Sequence, residues 1–223
     1  MKTTDAFTMI ELVFIIVIVG ILAAVAIPKI ERNGLIEAAD QIASHIRYTQ
    51  QLAMNDNKFN ANDPNWHKKA WRIQFHNHNS NGSAKGWRYT IFWDNFNAET
   101  DHAGNPNSER ELAIDPMNPN KYLTSGFARQ AFNNNHAKMN KKLNIQETYS
   151  ITNVVFGGAC ARMNTVSFDA KGRPMGQLAN SAIPYDKLFH SDCTITISND
   201  NGDSAVITIT KETGYVEYTL NLR

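Results

Sequence analysis

From Leu12 to Ile27 the chain carries no charged residue, and nearly every position is a branched or large apolar type. Counted from Phe7 to Ile27 the segment has 21 residues, and roughly 20 apolar residues in a helix span the hydrocarbon of a bilayer. The segment is therefore long enough to be expected to cross a membrane. One carboxylate, Glu11, sits just inside its front edge. An acidic side chain at a bilayer centre costs about 2.5–3.5 kcal/mol on insertion scales, so an acid in such a place is expected to have a partner.

The residues around that acid, Ala6 followed by Phe7-Thr8-Met9-Ile10-Glu11-Leu12, resemble the processing site of type IV prepilins and of type II secretion pseudopilins. The resemblance implies a cut between Ala6 and Phe7 by a prepilin peptidase, methylation of the new Phe7 amine by its methylase activity, and a neighbouring subunit's amine as the partner of Glu11. Ala6 stands where the family usually has Gly. Pairing an amine and a carboxylate across subunits removes most of the cost of holding either in an apolar setting, and it makes Glu11 a register device. Two other readings stay open. Glu11 could reach the head-group layer without a specific role, and Ala24-Val25-Ala26 matches the small-residue cleavage site of a secretory signal peptide.

After Pro28 a helical pattern resumes. Leu35, Ala39, Ile42, Ile46 and Ala53 recur at three-, four- or seven-residue steps, with Glu37, Asp40, Gln41 and Arg47 on the other side. Because the period continues, Pro28 is expected to kink the helix rather than end it. A single helix from Phe7 to Met54 would be about 70 Å long. The layout of pilins follows: a leader at 1–6, a transmembrane and assembly helix at 7–28, its amphipathic continuation at 29–54, and a β-rich domain outside the cytoplasm at 55–223.

Lys and Arg number 22 against 21 Asp and Glu, a net charge of +1, so neither a global basic field nor an acidic tail is present. Cys160 and Cys193 are the two cysteines. An even pair beyond a membrane anchor is expected to form a disulfide in an oxidising space such as a periplasm.

The segment 55–69 is Asn-rich and contains Asp63-Pro64, the mark of a loop. Trp71, Ile73 and Phe75 alternate with Arg72 and Gln74. Trp87, Tyr89, Ile91 and Trp93 alternate again after Asn81-Gly82, which predicts an antiparallel hairpin. The turn-rich stretch 94–120 reads as a long surface excursion, and 128–142 has no assignable pattern. From Tyr149 the pattern is β again, with candidate strands at 151–156, 165–169, 193–198, 205–210 and 215–220. The fold class expected is α+β, a pilin-like fold in which one long amino-terminal helix, half membrane and half amphipathic, packs on an antiparallel sheet or small sandwich of seven strands.

Val166-Ser167-Phe168-Asp169-Ala170-Lys171-Gly172-Arg173-Pro174-Met175-Gly176, then Thr194-Ile195-Thr196-Ile197 and Gly214-Tyr215-Val216, are similar to the carboxyl half of H-type minor pseudopilins. That implies a minor rather than a major subunit.

Little in the chain speaks for catalysis. It has no nucleophile elbow, no H-E-x-x-H and no P-loop, and no enzyme activity or cofactor is expected. His76 and His78 read as solvated turn histidines without further ligands, and Asp94, Asp101 and Asp115 lack the spacing of a calcium loop. Trp66, Trp71, Trp87, Trp93 and Tyr89, beside Arg72, Arg88, Lys68, Lys69 and Lys85, could stack and neutralise single-stranded DNA. The other reading puts the aromatics in the core and the arginines on the outer face. The function expected is a structural subunit of a type IV pilus or a type II secretion pseudopilus. Its expected place is the bacterial inner membrane as a single-pass protein with a periplasmic domain, or a cell-surface filament. The alternatives are a DNA-binding minor pilin acting in DNA uptake and a membrane-anchored adhesin. Expected partners are other pilin or pseudopilin subunits, the peptidase and methylase, and the inner membrane.

Overall fold

The computed structural model describes residues 8–26, 33–77, 86–96, 101–127 and 136–223. Two units divide the chain, Met1–Asn33 and Gly34–Arg223. The first holds helix α1 (Met9–Ala26) and the second begins with α2 (Gly34–Asn55).

This corrects the expected fold class. Rather than one long amino-terminal helix laid on a sheet, α1 and α2 are separate elements in different units, and most of the structure is antiparallel sheet. Only α2 has an apolar stripe to lay on a sheet, whereas the described side chains of α1 are exposed on every side. The inner-membrane localisation is corrected too. Among the described residues no helix is long and apolar enough to cross a membrane. The 18 residues of α1 rise about 27 Å at roughly 1.5 Å each, short of a hydrocarbon layer of about 30 Å.

In the second unit α2 buries Leu35, Ala38, Ala39, Ile42, Ala43, Ile46, Thr49 and Ala53, the stripe its three- and four-residue spacing dictates. The helix packs on strands of two four-stranded sheets. One sheet has the order β2-β1-β6-β7, from β1 (Arg72–His76), β2 (Arg88–Phe92), β6 (Thr165–Phe168) and β7 (Pro174–Met175). The other has the order β10-β9-β8-β5, from β5 (Asn153–Gly158), β8 (Cys193–Ser198), β9 (Ser204–Ile209) and β10 (Val216–Asn221). A short hairpin, β3 (Ile114–Asp115) with β4 (Asn118–Tyr122), and helix α3 (Ile145–Tyr149) complete it.

Four buried alanines, Ala38, Ala39, Ala43 and Ala53, let α2 approach closely, while Leu35, Ile42 and Ile46 contribute about 1.5–3 kcal/mol each by leaving water. Polar groups then fix its register. Arg47 Nη2 donates to the Val216 carbonyl at 2.7 Å, and Gln50 Nε2 donates to the carbonyls of Gly172 at 2.8 Å and Thr213 at 2.7 Å. Tyr218 Oη donates to Asp40 at 2.8 Å.

On β8 and β9 burial alternates along the strand, with Cys193, Ile195 and Ile197 facing Ala205, Ile207 and Ile209 across the inner face, as period two requires. The first sheet differs, because β1 and β2 are buried on both faces. Ile73 and Phe75 face the core under α2 and register with Ile91 and Tyr89. The opposite face is covered by the described residues 94–96 and 101–127, most of them in the stretch 94–120 that the sequence reads as a surface excursion. These residues hydrogen-bond along the free edge of β2: Ile91 N to Leu123 O at 2.9 Å, Ala113 N to Ile91 O at 3.0 Å and Trp93 N to Glu111 O at 3.0 Å. They bring a small second core of Phe92, Leu112, Phe127 and Met139.

Tyr89, buried under α2, accepts from Gln41 Nε2 at 2.8 Å, and its hydroxyl shares a hydrogen bond with His45 Nδ1 at 2.7 Å. Burial lowers the His45 pKa to about 4, against a smaller upward pull from Asp115. Between that value and the unfolded value of about 6.5 the unfolded chain binds more protons, so stability falls as pH falls through this window. From pH 7 to pH 5 the wild type is expected to lose about 2 kcal/mol more than His45→Gln. Urea unfolding at the two pH values measures the difference.

Candidate assembly site

Every described side chain of α1 and its cap, from Thr8 to Leu22, is exposed. The large apolar ones among them are 46 to 87 % exposed, on all sides of the helix rather than along one stripe. Soluble monomers seldom leave more than a few hundred Å² of contiguous apolar surface uncovered, and larger patches mark contact surfaces. A Cβ added at Gly20 meets nothing within 4 Å, so the helix itself leaves room for close approach.

Glu11 lies in the first turn of α1. Its Oε2 accepts from the Thr8 amide at 2.9 Å and the Thr8 hydroxyl at 2.7 Å, and the Thr8 hydroxyl accepts from the Glu11 amide at 3.4 Å. This is a capping box, which satisfies two amide donors that a helix start otherwise leaves open. Thr8 and Glu11 carry the T-x-x-E signature of such a box in the sequence itself. A carboxylate at a helix amino terminus is also favoured by the backbone dipole. Glu11 thus has a local role besides any partner in another copy. Ala6, Phe7 and Pro28, the other positions singled out near this helix, lie outside the described residues.

Cys160 and Cys193 are joined in a disulfide with a Cα separation of 5.1 Å. Both are buried in the main core, Cys193 at the head of β8 and Cys160 in the turn after β5.

The other candidates fare differently. His76 is not a solvated turn residue; it sits on β1, buried, with its ring centroid 5.1 Å from that of Phe127 in an edge-to-face contact, because residues 101–127 close over that face. His78 lies outside the described residues, as do Lys85 and the Asn81-Gly82 turn. Asp94 is buried, and Asp115 accepts from Met117 N and Asn140 Nδ2. Among the described residues no group of three or more His, Cys, Asp or Glu is placed to hold a metal ion.

Arg72 and Arg88, expected on an outer face, are both fully buried. Arg72 Nε donates to Ala70 O at 3.1 Å, Nη2 donates to Lys68 O, and Nη1 lies 3.5 Å from Asp94 Oδ2. Asp94 Oδ2 also accepts from the Gly104 amide at 2.7 Å. Burial pushes the Asp94 carboxyl above its ordinary value, and the Arg72 guanidinium pulls it back. Neither arginine can reach a phosphate from this position, so the DNA-stacking surface loses its two strand-borne cations.

No family model matches the chain, and no curated protein or solved structure matches it.

Proposed function

We propose that the chain is a structural subunit of a filament of the type IV pilus or type II secretion pseudopilus kind, assembled by packing α1 against the α1 helices of other copies. The observation that carries this reading is a helix exposed and apolar on every side, with a single acid in its first turn. The second unit has its own helix-covered core, and the exposed apolar surface of α1 is available for assembly. Removal of residues 1–6 by a prepilin peptidase would place a free, methylated amine at Phe7. Thr8 survives the cut, so the cap at the start of α1 would persist while the new amine seeks Glu11 of a neighbour.

Two substitutions separate the local role of Glu11 from the intermolecular one. Thr8→Ala and Glu11→Ala each open the capping box, at about 1 kcal/mol of helix stability. Only Glu11→Ala removes the charge. Thr8→Ala is expected to enter filaments at near wild-type level, whereas Glu11→Ala falls at least about tenfold, the equivalent of roughly 1.4 kcal/mol. Quantitative immunoblotting of sheared filaments reads both, and mass spectrometry of the same fraction is expected to show a chain starting at methylated Phe7. Equal incorporation of Glu11→Ala, or retention of the first six residues, overturns the reading.

A further inference from the structure

Where α2 ends, Ala53 and Phe168 floor a cleft whose walls are Trp66, His67, Trp71 and Tyr185. The cavity it encloses is about 30 Å³, room for one or two hydroxyl-sized groups but not for a whole small molecule. Anything bound here inserts an edge and lays the rest against the rim. The rim is aromatic. Phe59 and Tyr185 flank Trp66, with ring centroids 5.2 and 6.2 Å from it and planes tilted by 76° and 71°. Phe59 is 61 % and Tyr185 46 % exposed. Tyr185 holds its ring there from a left-handed backbone, φ 69°, a conformation a bulky residue adopts only when its surroundings impose it.

His67 is 95 % buried, and among the described residues neither of its ring nitrogens has a hydrogen-bond partner. Buried imidazole nitrogens are almost always satisfied. A neutral imidazole offers one donor and one acceptor, the complement of a hydroxyl group. The charges around the cleft cancel in pairs: Lys58 with Asp56 at 2.5 Å, and Arg173 with Asp169 at 2.7 Å. Among the described residues lining the cleft, a phosphate or carboxylate ligand therefore finds no spare cation. A purely apolar ligand would leave His67 unsatisfied.

We propose that this cleft binds one unit of a neutral oligosaccharide. The apolar face of the pyranose lies on the exposed Tyr185 ring with Trp66 at its edge, and one hydroxyl enters the cavity to bond the His67 imidazole. The site uses no part of α1 and stands or falls separately from filament assembly.

The test is a titration of the full chain with cellohexaose, chitohexaose and maltohexaose, followed by tryptophan emission and by calorimetry. At least one is expected to give a saturable change in both. Tyr185→Ala, at an exposed ring, is expected to weaken that binding about tenfold or more with an unchanged melting temperature. His67→Ala is expected to abolish it, and His67→Gln, which keeps a donor and an acceptor, to retain part. The proposal is overturned if no sugar saturates by about 10 mM. Undiminished binding by Tyr185→Ala also overturns it, as does a response confined to indole or to single-stranded DNA.

Discussion

Asp94→Ala is expected to destabilise the main domain by about 3–5 kcal/mol, the usual cost of removing one partner from a buried ion pair. At roughly 2–4 °C per kcal/mol for a domain of this size, the melting temperature should fall by about 10 °C or more. Both side chains of the pair are completely shielded from water, so the guanidinium of Arg72 cannot recover hydration when its carboxylate goes. The Gly104 amide, which donates to the same oxygen, would be orphaned with it. The expected loss comes from the charge left behind more than from the attraction removed. That distinction is measurable. A double variant, Arg72→Met with Asp94→Leu, should be closer to wild type than Asp94→Ala alone, because no buried charge remains. If Asp94→Ala melts within two or three degrees of wild type (less than about 1 kcal/mol), the burial of this pair is wrong. The described residues 101–127 would then lie off the sheet.

The second large effect is expected at the disulfide. Cys160 and Cys193 are separated by 33 positions, and closing a loop of that length in the unfolded chain is worth about 4 kcal/mol on the chain-entropy model. The bond also joins the turn after β5 to the first residue of β8, two strands paired over their full length, so it reinforces an existing contact. Replacing both cysteines by alanine should lower stability by about 3–4 kcal/mol and leave the two-sheet architecture intact. Iodoacetamide should modify neither cysteine in the native protein, and both after unfolding and reduction. Labelling without reductant would contradict the bond. So would a double variant as stable as wild type.

Assembly and sugar recognition would occupy different parts of the chain, α1 for one and the end of α2 with Trp66 and Tyr185 for the other. A filament subunit with such a cleft would present it many times along a polymer. Multivalent display raises apparent affinity well above that of a single weak site.

The local patterns were legible because they depend on neighbours in the chain. The stripe on α2 appears as written, since a 3.6-residue period needs only one apolar partner surface. The hairpin of β1 and β2 and the strands β8, β9 and β10 likewise follow the alternation of Ile and Thr or of Trp, Tyr and Ile. The pairing of Cys160 with Cys193 needed only that there be two cysteines. Glu11 at the head of an uninterrupted apolar run is legible in the sequence, and so is its T-x-x-E pairing with Thr8.

What a distant segment covers could not be read locally. Arg72, Gln74 and His76 alternate with Ile73 and Phe75 as an outer face should, yet the described residues 94–96 and 101–127 lie over them and turn a polar face into a buried one. The same closure hides Arg72 from any nucleic acid. That α1 and α2 fall in separate units was not legible, because a hydrophobic period reports which face is apolar and not what that face packs against. The cleft at Trp66, His67 and Tyr185 gathers residues more than a hundred positions apart, and only the packing of α2 on both sheets brings them to one place.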